Sequence, residues 1–405
     1  MDTPTKRDVL RTFGSGLVAA VAGCGGRRST ETPSRTVTQS PTRTKVTPAA
    51  TETPDEAAPP TETETLTETP RPIPRVAWRH ATGDDIQSSP AFADKTVFVG
   101  SRAETVSALD TADGTVRWTV ETAAPVVGGA TVVDGTVYIG TEEGVYAIAA
   151  ADGSVEWDTR RVGYIRSRPT VEGNTVYVGS RDRYVYALDA ESGTVSWESE
   201  VGVTQHSQIL CSPAVADGTV VVGTGDRNAV AVDAETGEEL WRSSVAGRVY
   251  ADPLIDRDVV YIGDSRGLVG FDLYSGDRVS RVETDRRVEG LTRGPDGLYL
   301  GGARGDIGGS VVAVSSDGRR VRWKQTLGQS VGCASSVADG TVYVGTTDRN
   351  NRGPPGRAFA LDTESGAPDW RVTLDAGVRT DPAVTPEAIV VGTEAGDVIA
   401  LDRSV

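Results

Sequence analysis

Histidine, cysteine and methionine are scarce in this sequence of 405 residues. Two histidines, His80 and His206, leave little for a histidine metal site or a histidine-based catalytic relay. The three cysteines, at positions 24, 211 and 333, exclude a disulfide-dense scaffold and a thiolate-rich zinc or iron–sulfur site. No apolar run reaches 18 residues, so no ordinary transmembrane helix is predicted.

Lysine is also rare, and the charge balance is strongly negative. Asp and Glu number 57 against 41 Lys and Arg, for a net charge of −16, and only four of the basic residues are Lys. An acidic protein in which Arg replaces Lys resembles the proteins of salt-accumulating organisms, so we expect a halophilic, haloarchaeal source. An ordinary acidic protein is the alternative. A negative field repels DNA and RNA, and we therefore expect no nucleic-acid partner.

The first residues predict an export signal. A basic start with Lys6 and Arg7 precedes a weakly apolar stretch at 17–22, which is the plan of a signal peptide. Residues 21–24, Val-Ala-Gly-Cys, resemble a lipobox, which implies a lipid on Cys24 and an extracytoplasmic location at the cell membrane. Lys6 stands where a twin-arginine signal has its first Arg, so twin-arginine and Sec export both stay open.

The next segment predicts a stalk. Between Arg27 and Arg75 there are 14 Thr and 9 Pro and almost no large apolar side chain. Such a segment buries too little surface to offset its ordering entropy, and we expect it to remain extended and disordered. Its charges cancel, so the acidity belongs to residues 76–405, which carry a net charge of −17.

Residues 76–405 contain an internal repeat of about 41 residues. The signal is a recurring tryptophan, at Trp78, Trp118, Trp157, Trp197, Trp241, Trp323 and Trp370. One interval is twice the usual length, and Ser280 stands at the position of the missing tryptophan. The repeat therefore has eight units.

Each unit predicts four short strands. In one unit the predicted strands cover 167–171, 175–179, 184–189 and 194–197, with turn residues between them. Four strands repeated at this period are typical of a β-propeller blade. The chain ends on a third strand and residues 76–80 form an isolated fourth strand, so we predict an eight-bladed, all-β propeller whose ring the N-terminal strand closes.

The motif Ala-x-Asp-x-x-Ser/Thr-Gly-x-x-x-Trp carries a family resemblance. It occurs at 187–197 and recurs at 231–241 and 360–370, and at 108–118 with Asp113 in the Ser/Thr position. It is similar to the tryptophan-docking repeat of PQQ-like propellers, and the eight-bladed chain resembles the outer-membrane assembly factor B (BamB) family, whose members are lipoproteins. The resemblance implies that the seven tryptophans pack between blades, a structural role that suits a large indole with one N–H donor.

Quinoprotein alcohol dehydrogenases share the repeat, which raises the alternative of a PQQ-dependent or other redox enzyme. That resemblance implies an adjacent cysteine pair, a Ca²⁺ site and a catalytic Asp. Cys211 and Cys333 instead occupy one slot in two different blades, where Ser88 and Ser167 stand in others. We therefore interpret both as small buried residues and predict no enzyme activity, no PQQ and no Ca²⁺ or other metal.

Arginine recurs in the loops at one end of the predicted blades. One set should lie near the central channel, and it comprises Arg166, Arg168, Tyr250, Asp252, Arg379 and Asp381. A second set should lie further out, and it comprises Arg102, Arg181, Arg183, Arg227, Arg266, Arg304, Arg349, Arg352 and Arg357. Function in a propeller usually lies on such loops, so this face is a candidate docking site for an acidic partner. The alternative is that these side chains only cap and solvate the loops.

The sequence thus divides into a signal peptide (1–23), a lipidated Cys24 with its stalk (24–75) and a propeller (76–405). We predict a membrane-anchored lipoprotein whose monomeric propeller is a non-catalytic scaffold that binds a protein partner at the cell surface. A receptor for a small ligand or a cell-surface polymer is a further alternative.

Overall fold

A computed structural model describes residues 73–303, 308–348 and 355–403. Over these residues all regular secondary structure is β, with 32 strands in eight four-stranded antiparallel sheets. The predicted eight-bladed propeller is confirmed. The predicted signal peptide, Cys24 and almost all of the stalk lie outside the described residues, as do Arg304, Arg349 and Arg352.

Each sheet is one blade, and its strands run from the central channel outward. The innermost strands are β2 (Ala91–Ala93), β6 (Thr131–Val133), β10 (Thr170–Glu172), β14 (Ala214–Ala216), β18 (Leu254–Asp256), β22 (Arg287–Gly294), β26 (Ser336–Ala338) and β30 (Ala383–Val384). The second strands are β3 (Thr96–Ser101), β7 (Thr136–Gly140), β11 (Thr175–Gly179), β15 (Thr219–Gly223), β19 (Val259–Asp264), β23 (Gly297–Ala303), β27 (Thr341–Thr347) and β31 (Ala388–Gly392).

The outer half of each blade completes the sheet. The third strands are β4 (Thr105–Asp110), β8 (Val145–Ala149), β12 (Tyr184–Asp189), β16 (Asn228–Asp233), β20 (Gly267–Asp272), β24 (Gly309–Val314), β28 (Gly356–Asp362) and β32 (Asp397–Asp402). The outermost strands are β5 (Val116–Glu121), β9 (Val155–Thr159), β13 (Val195–Glu200), β17 (Glu239–Ser244), β21 (Arg278–Glu283), β25 (Val321–Thr326), β29 (Pro368–Leu374) and β1 (Val76–Ala81).

The N-terminal strand closes the ring, as predicted. β1 pairs antiparallel with β32, with Trp78 opposite Ala400 and His80 opposite Val398. The first and last blades also meet at the channel, where β2 contacts β30. The eighth blade is therefore built from both ends of the propeller sequence, which leaves no open seam in the ring.

The burial of each strand follows its place in the blade. The second and third strands are buried on both sides between neighbouring blades, which explains their continuous apolar runs, such as Val176 to Val178 in β11. The outermost strands alternate between buried and exposed positions, as in β5, where Trp118 is buried and its neighbours are exposed. No helix long and apolar enough to cross a membrane occurs in the described part of the chain.

A β-bulge recurs between the third and fourth strands of all eight blades, just before the tryptophan position. In the third blade Ala187 lies opposite Trp197 whereas Leu188 lies opposite Val195. A bulge of this kind turns the following side chain. It aims each indole at the next blade around the ring.

The indole N–H groups bond to backbone carbonyls of the next blade. Trp157 donates to the Ala190 carbonyl oxygen at 2.9 Å, and its ring lies against Gly193, where a Cβ atom would come within 2.5 Å of the ring. Gly193 has a φ of 67°, so the turn needs glycine for both reasons. The same bond is formed by Trp78, Trp118, Trp197, Trp241 and Trp323, with Thr111, Ala150, Ala234, Leu273 and Thr363.

The boundaries of the example blade differ a little from the prediction. The strand expected over 167–171 is β10, which begins only at Thr170. Before it, Ser167 bonds through its hydroxyl to the backbone N–H and carbonyl of Gly179, and Pro169 has no N–H to join a ladder. The outer strand β13 extends beyond the predicted 194–197 to Glu200.

Candidate binding face and central channel

Three loops bring the inner set of predicted site residues together. Each loop connects the outermost strand of one blade to the innermost strand of the next. The six side chains line one cavity of about 110 Å³ at an end of the central channel: Arg166, Arg168, Tyr250, Asp252, Arg379 and Asp381.

A cation and an anion meet within this cavity. Arg168 in the third blade lies 3.5 Å from the Asp381 carboxylate in the eighth blade. Its side chain passes over Gly129, where a Cβ atom would come within 2.9 Å of the Arg168 Nε atom. The other carboxylate oxygen of Asp381 accepts the Ala334 backbone N–H at 2.8 Å, and the Asp381 N–H donates to the Ser89 hydroxyl at 3.0 Å.

Asp252 is held by a related bond between blades. Its Oδ1 atom accepts the Ser212 backbone N–H at 2.6 Å. The Ser212 hydroxyl in turn accepts the Arg168 backbone N–H at 3.0 Å. Side chains at one repeat position therefore join neighbouring blades, and this fixes Arg168, Asp252 and Asp381 as a rigid polar belt around the channel.

Two effects raise the pKa of the Asp381 carboxyl above its ordinary value of 3.8. Burial is the larger, since it disfavours the charged form, and the negative charge of Asp252 acts in the same direction. The guanidinium of Arg168 opposes both. The belt thus contains one cation, Arg168, and two acidic side chains, Asp252 and Asp381. The surroundings of Asp381 favour its protonated form.

The polar belt separates two spaces in the channel. Arg168, Asp252 and Asp381 line both the small cavity and a second one of about 680 Å³. The walls of the larger cavity come from the innermost strands and include Phe92, Val132, Thr170, Thr292 and Ser336. A ligand in the larger space would meet mixed apolar and hydroxyl walls with charged groups at one end.

The outer set of arginines lies on the same face, away from the channel. Arg181 stacks on the Tyr164 ring at 4.5 Å, and Arg183 forms an ion pair with Glu200 at 3.0 Å. Arg227 is exposed. These side chains occupy turns between the second and third strands, as the sequence predicts.

The predicted arginines differ in whether they form ion pairs. Arg379 forms an ion pair with Glu394. Arg166 and Arg227 are exposed and make no side-chain ion pair within the described residues. We call the surface formed by Arg166, Arg181, Arg183, Arg227 and Arg379 the Arg face. Arg349, predicted to belong to it, lies outside the described residues.

Cys211 and Cys333 occupy equivalent buried positions in the fourth and seventh blades, and neither forms a disulfide. The Cys211 thiol bonds to the carbonyl and N–H of Gly223, much as the Ser167 hydroxyl bonds to Gly179. Burial raises the pKa of the Cys211 thiol to about 12. Such a thiol stays protonated at neutral pH and is a poor nucleophile.

The sequence did not single out one part of the cavity. Arg287 stacks on the Tyr250 ring at 4.8 Å and forms an ion pair with Glu289 at 2.5 Å. Glu289 lines the same cavity as Arg166 and Arg168. In five blades a proline marks the start of the innermost strand. The sixth blade lacks this proline, as do the second and seventh, and its Arg287 and Glu289 lie within β22 itself and not in the loop before it.

Comparison with solved structures gives the same fold. BamB from Moraxella catarrhalis matches 82% of this chain and 100% of its own, at 20% identity and a TM-score of 0.66. The computationally designed protein Ika8 matches 81% of this chain and 99% of its own, at 17% identity and a TM-score of 0.68. A comparison with curated protein sequences gives no match.

A quinohemoprotein alcohol dehydrogenase is also similar in fold. The enzyme ADHIIG from Pseudomonas putida HK5 matches 81% of this chain and 76% of its own, at 16% identity and a TM-score of 0.64. At such identities the similarity shows the propeller fold alone.

A family model gives a closer assignment than the structures do. The model described as outer membrane protein assembly factor BamB matches residues 74–157, 104–212, 184–294 and 307–404. These overlapping matches follow the repeat and cover almost the whole propeller. The chain therefore belongs to the PQQ-like repeat family of outer membrane protein assembly factor BamB.

Proposed function

We propose that this protein is an exported lipoprotein, anchored to the cell membrane by a lipid on Cys24, whose monomeric propeller is a non-catalytic scaffold for a protein partner. The observation that carries the proposal is the Arg face. Arg166 and Arg227 are exposed there without an ion-pair partner among the described residues, on a propeller sequence with a net charge of −17. Unpaired cations on an acidic body offer carboxylates a local site.

The proposed partner presents an acidic surface to this face. Guanidinium groups bind carboxylates through two parallel N–H bonds, and Arg is frequent among the residues that dominate interface energies. The loops of the Arg face are held by a closed ring whose blades are bonded to one another at the polar belt. The face is therefore rigid, and little ordering is needed on binding.

In this proposal the lipid anchor and the stalk hold the propeller close to the membrane. A segment rich in Thr and Pro between Cys24 and β1 would keep the propeller near the membrane and let it reach partners there. Membership of the BamB family supports an extracytoplasmic scaffold. The substitution Cys24→Ser should remove the anchor and release the protein to the medium.

Cross-linking in native membranes at high salt tests the scaffold. The wild type is compared with R166Q/R181Q/R227Q, which neutralises three side chains of the Arg face. The control, R278Q/R320Q/R371Q, neutralises three exposed arginines of outer strands and an outer turn. Mass spectrometry identifies and quantifies what each variant captures.

We expect one stoichiometric partner with the wild type and the control, and its loss with the Arg-face variant. Equal capture by all three proteins would contradict docking on the Arg face. Captures that differ from one preparation to the next would contradict the protein scaffold itself, provided that the propeller remains folded and anchored.

A quinone cofactor does not suit the residues of this propeller. The resemblance to quinoprotein dehydrogenases implies adjacent cysteines and a calcium site. Cys211 and Cys333 are instead buried in separate blades, and the described residues contain no group of three or more His, Cys, Asp or Glu side chains placed to hold a metal ion. We therefore propose no redox step, and titration with PQQ in the presence of Ca²⁺ should give no dye reduction.

The larger channel cavity favours a second candidate function, a receptor for a small ligand. The cavity measures about 680 Å³ and has Arg168 at the polar belt to bind an anionic group. A thermal shift with one class of ligand, abolished by Arg168→Ala, would support this function. It would also separate it from partner docking, which depends on Arg166, Arg181 and Arg227.

A further inference from the structure

The seam between the fifth and sixth blades lacks its tryptophan but keeps the geometry that docks one. Ser280 lies opposite Gly270 in β21 and β20, just as Trp197 lies opposite Ala187. The β-bulge that turns the tryptophan toward the next blade is present before Ser280 as well. The backbone is thus arranged for an indole that the side chain does not supply.

A cavity of about 400 Å³ occupies this seam. Its walls include Val259, Tyr261, Val279, Ser280, Ser316 and Arg319. Ser280 is 8% exposed, and its hydroxyl has no hydrogen-bond partner within the described residues. A buried hydroxyl without a partner is costly in free energy, which marks the cavity as a place where a polar group could be satisfied.

The backbone acceptor of the missing indole is also in place. At the seam between the second and third blades, the Ala190 carbonyl of the third blade accepts both the Tyr138 hydroxyl at 3.4 Å and the Trp157 indole N–H at 2.9 Å from the second. The Thr363 and Ala234 carbonyls each accept the same two kinds of donor.

In the tryptophan-free seam, the equivalent carbonyl belongs to Ser316. It accepts the Tyr261 hydroxyl at 3.2 Å. A carbonyl oxygen has two lone pairs, so Ser316 can also accept an N–H from a ring in the cavity.

Two differences set this seam apart from the others. The turn after β24 has its glycine one position earlier, and the Tyr261 ring packs against Gly318, where a Cβ atom would come within 2.3 Å of it, as the indole does against the turn glycine elsewhere. A ring that enters this cavity would therefore pack beside Tyr261. Arg319 reaches the rim and donates to the Val279 carbonyl at 3.3 Å. A guanidinium at the rim can stack on an aromatic face.

We propose that the cavity between the fifth and sixth blades binds an indole ring, with its N–H donated to the Ser316 carbonyl and its faces against Tyr261 and Val279. The cavity is built from turns between first and second strands and between third and fourth strands. It therefore lies at the opposite end of the blades from the Arg face, and the proposal does not depend on partner docking there.

Fluorine NMR of the full-length protein tests the site without interference from its own tryptophans. The probes are 5-fluoroindole, which represents a free ligand, and N-acetyl-5-fluorotryptophan amide, which represents a tryptophan of a polypeptide. Broadening of the first signal alone indicates a small-molecule source, and broadening of both indicates that a tryptophan side chain can enter. Either result supports an indole site, and no broadening of either probe by the wild type overturns it.

Two substitutions that fill the cavity locate the binding. Ser280→Trp supplies the missing indole and should raise the melting temperature while it weakens probe binding by about tenfold or more. Ser280→Phe fills the cavity with a smaller ring and should weaken binding in the same way, which keeps the test valid if the tryptophan variant does not fold. The control Ser196→Trp adds an indole at an exposed position of β13 and should bind the probes as the wild type does. Unchanged binding by a folded Ser280 variant would overturn the assignment.

Discussion

Arg168 and Asp381 approach to 3.5 Å although they belong to the third and eighth blades, which are not neighbours in the ring. The contact crosses the end of the channel. The polar bonds that Ser89, Ser212 and Asp252 form at the same loop position join neighbouring blades instead. The polar belt therefore braces the propeller across its axis as well as around it.

Removal of the cation should weaken this brace. Arg168→Ala leaves the Asp381 carboxylate beside Asp252 without its ion-pair partner. Since both partners of the pair are about a third exposed, solvent screening limits the loss to about 1 kcal/mol in the free energy of unfolding. Urea denaturation at neutral pH measures it, with Arg371→Ala as a control on an outer strand. Equal midpoints for the two variants would show that the pair contributes nothing.

Protonation of Asp381 should stabilise the fold. Because its pKa is raised in the folded protein, the folded state holds the proton more tightly than the unfolded chain does. The contribution to stability is thus greatest below the unfolded pKa of about 3.9 and falls as the pH rises through the folded pKa. Denaturation of the wild type and of Asp381→Asn at a series of pH values should show that the free energy of unfolding falls less steeply with rising pH in the variant. Parallel curves for the two proteins would refute a raised Asp381 pKa.

The two propeller cysteines should resist alkylation until the protein unfolds. Both are buried, and burial raises the pKa of the Cys211 thiol to about 12 and that of Cys333 further. Little thiolate exists at pH 8 in either position. Mass spectrometry of iodoacetamide-treated protein should find the Cys211 and Cys333 peptides unmodified in the native state and labelled in urea. Rapid alkylation of either cysteine in the native protein would be inconsistent with its burial.

The docked tryptophans should dominate the stability of the seams. Trp157→Ala removes a buried ring and its bond to Ala190, and it should cost about 3–5 kcal/mol. Trp157→Phe keeps most of the packing and leaves the Ala190 carbonyl without the indole, so we expect about 1–2 kcal/mol. Thermal unfolding followed by circular dichroism ranks the two. A smaller loss for the alanine variant than for the phenylalanine variant would contradict the docking role.

Salt should stabilise the propeller. With a net charge of −17 on residues 76–405, repulsion between carboxylates opposes the compact state at low ionic strength. Molar KCl screens this repulsion and should raise the melting temperature, as the expectation of a halophilic source predicts. Melting curves over a KCl series test this, with sucrose at matched water activity as a control. A melting temperature independent of KCl would exclude it.

The fold could be predicted because its signals are local and repeated. The tryptophan spacing, the turn residues and the orphan strand at Val76–Ala81 each indicate a blade or its closure without knowledge of distant contacts. The candidate site could be predicted only in part. The loops of Arg166 and Asp381 could be aligned by the prolines that follow them, but the pairing of Arg168 with Asp381 depends on the width of the channel and on the space above Gly129. The sequence shows only that a tryptophan is missing at Ser280. The cavity beside it depends on how the neighbouring blade packs, which the sequence does not give.

The pairing of β1 with β32 has a consequence for how the protein is made and loaded. The strand synthesised first in the propeller has no partner until the last strand has left the ribosome, so the final blade forms late and depends on a contact of maximal sequence separation. The sequence that leads from Cys24 enters the propeller through this same strand. A force applied to the chain ahead of Val76 would therefore act first on the six residues of β1 and on their pairing with β32.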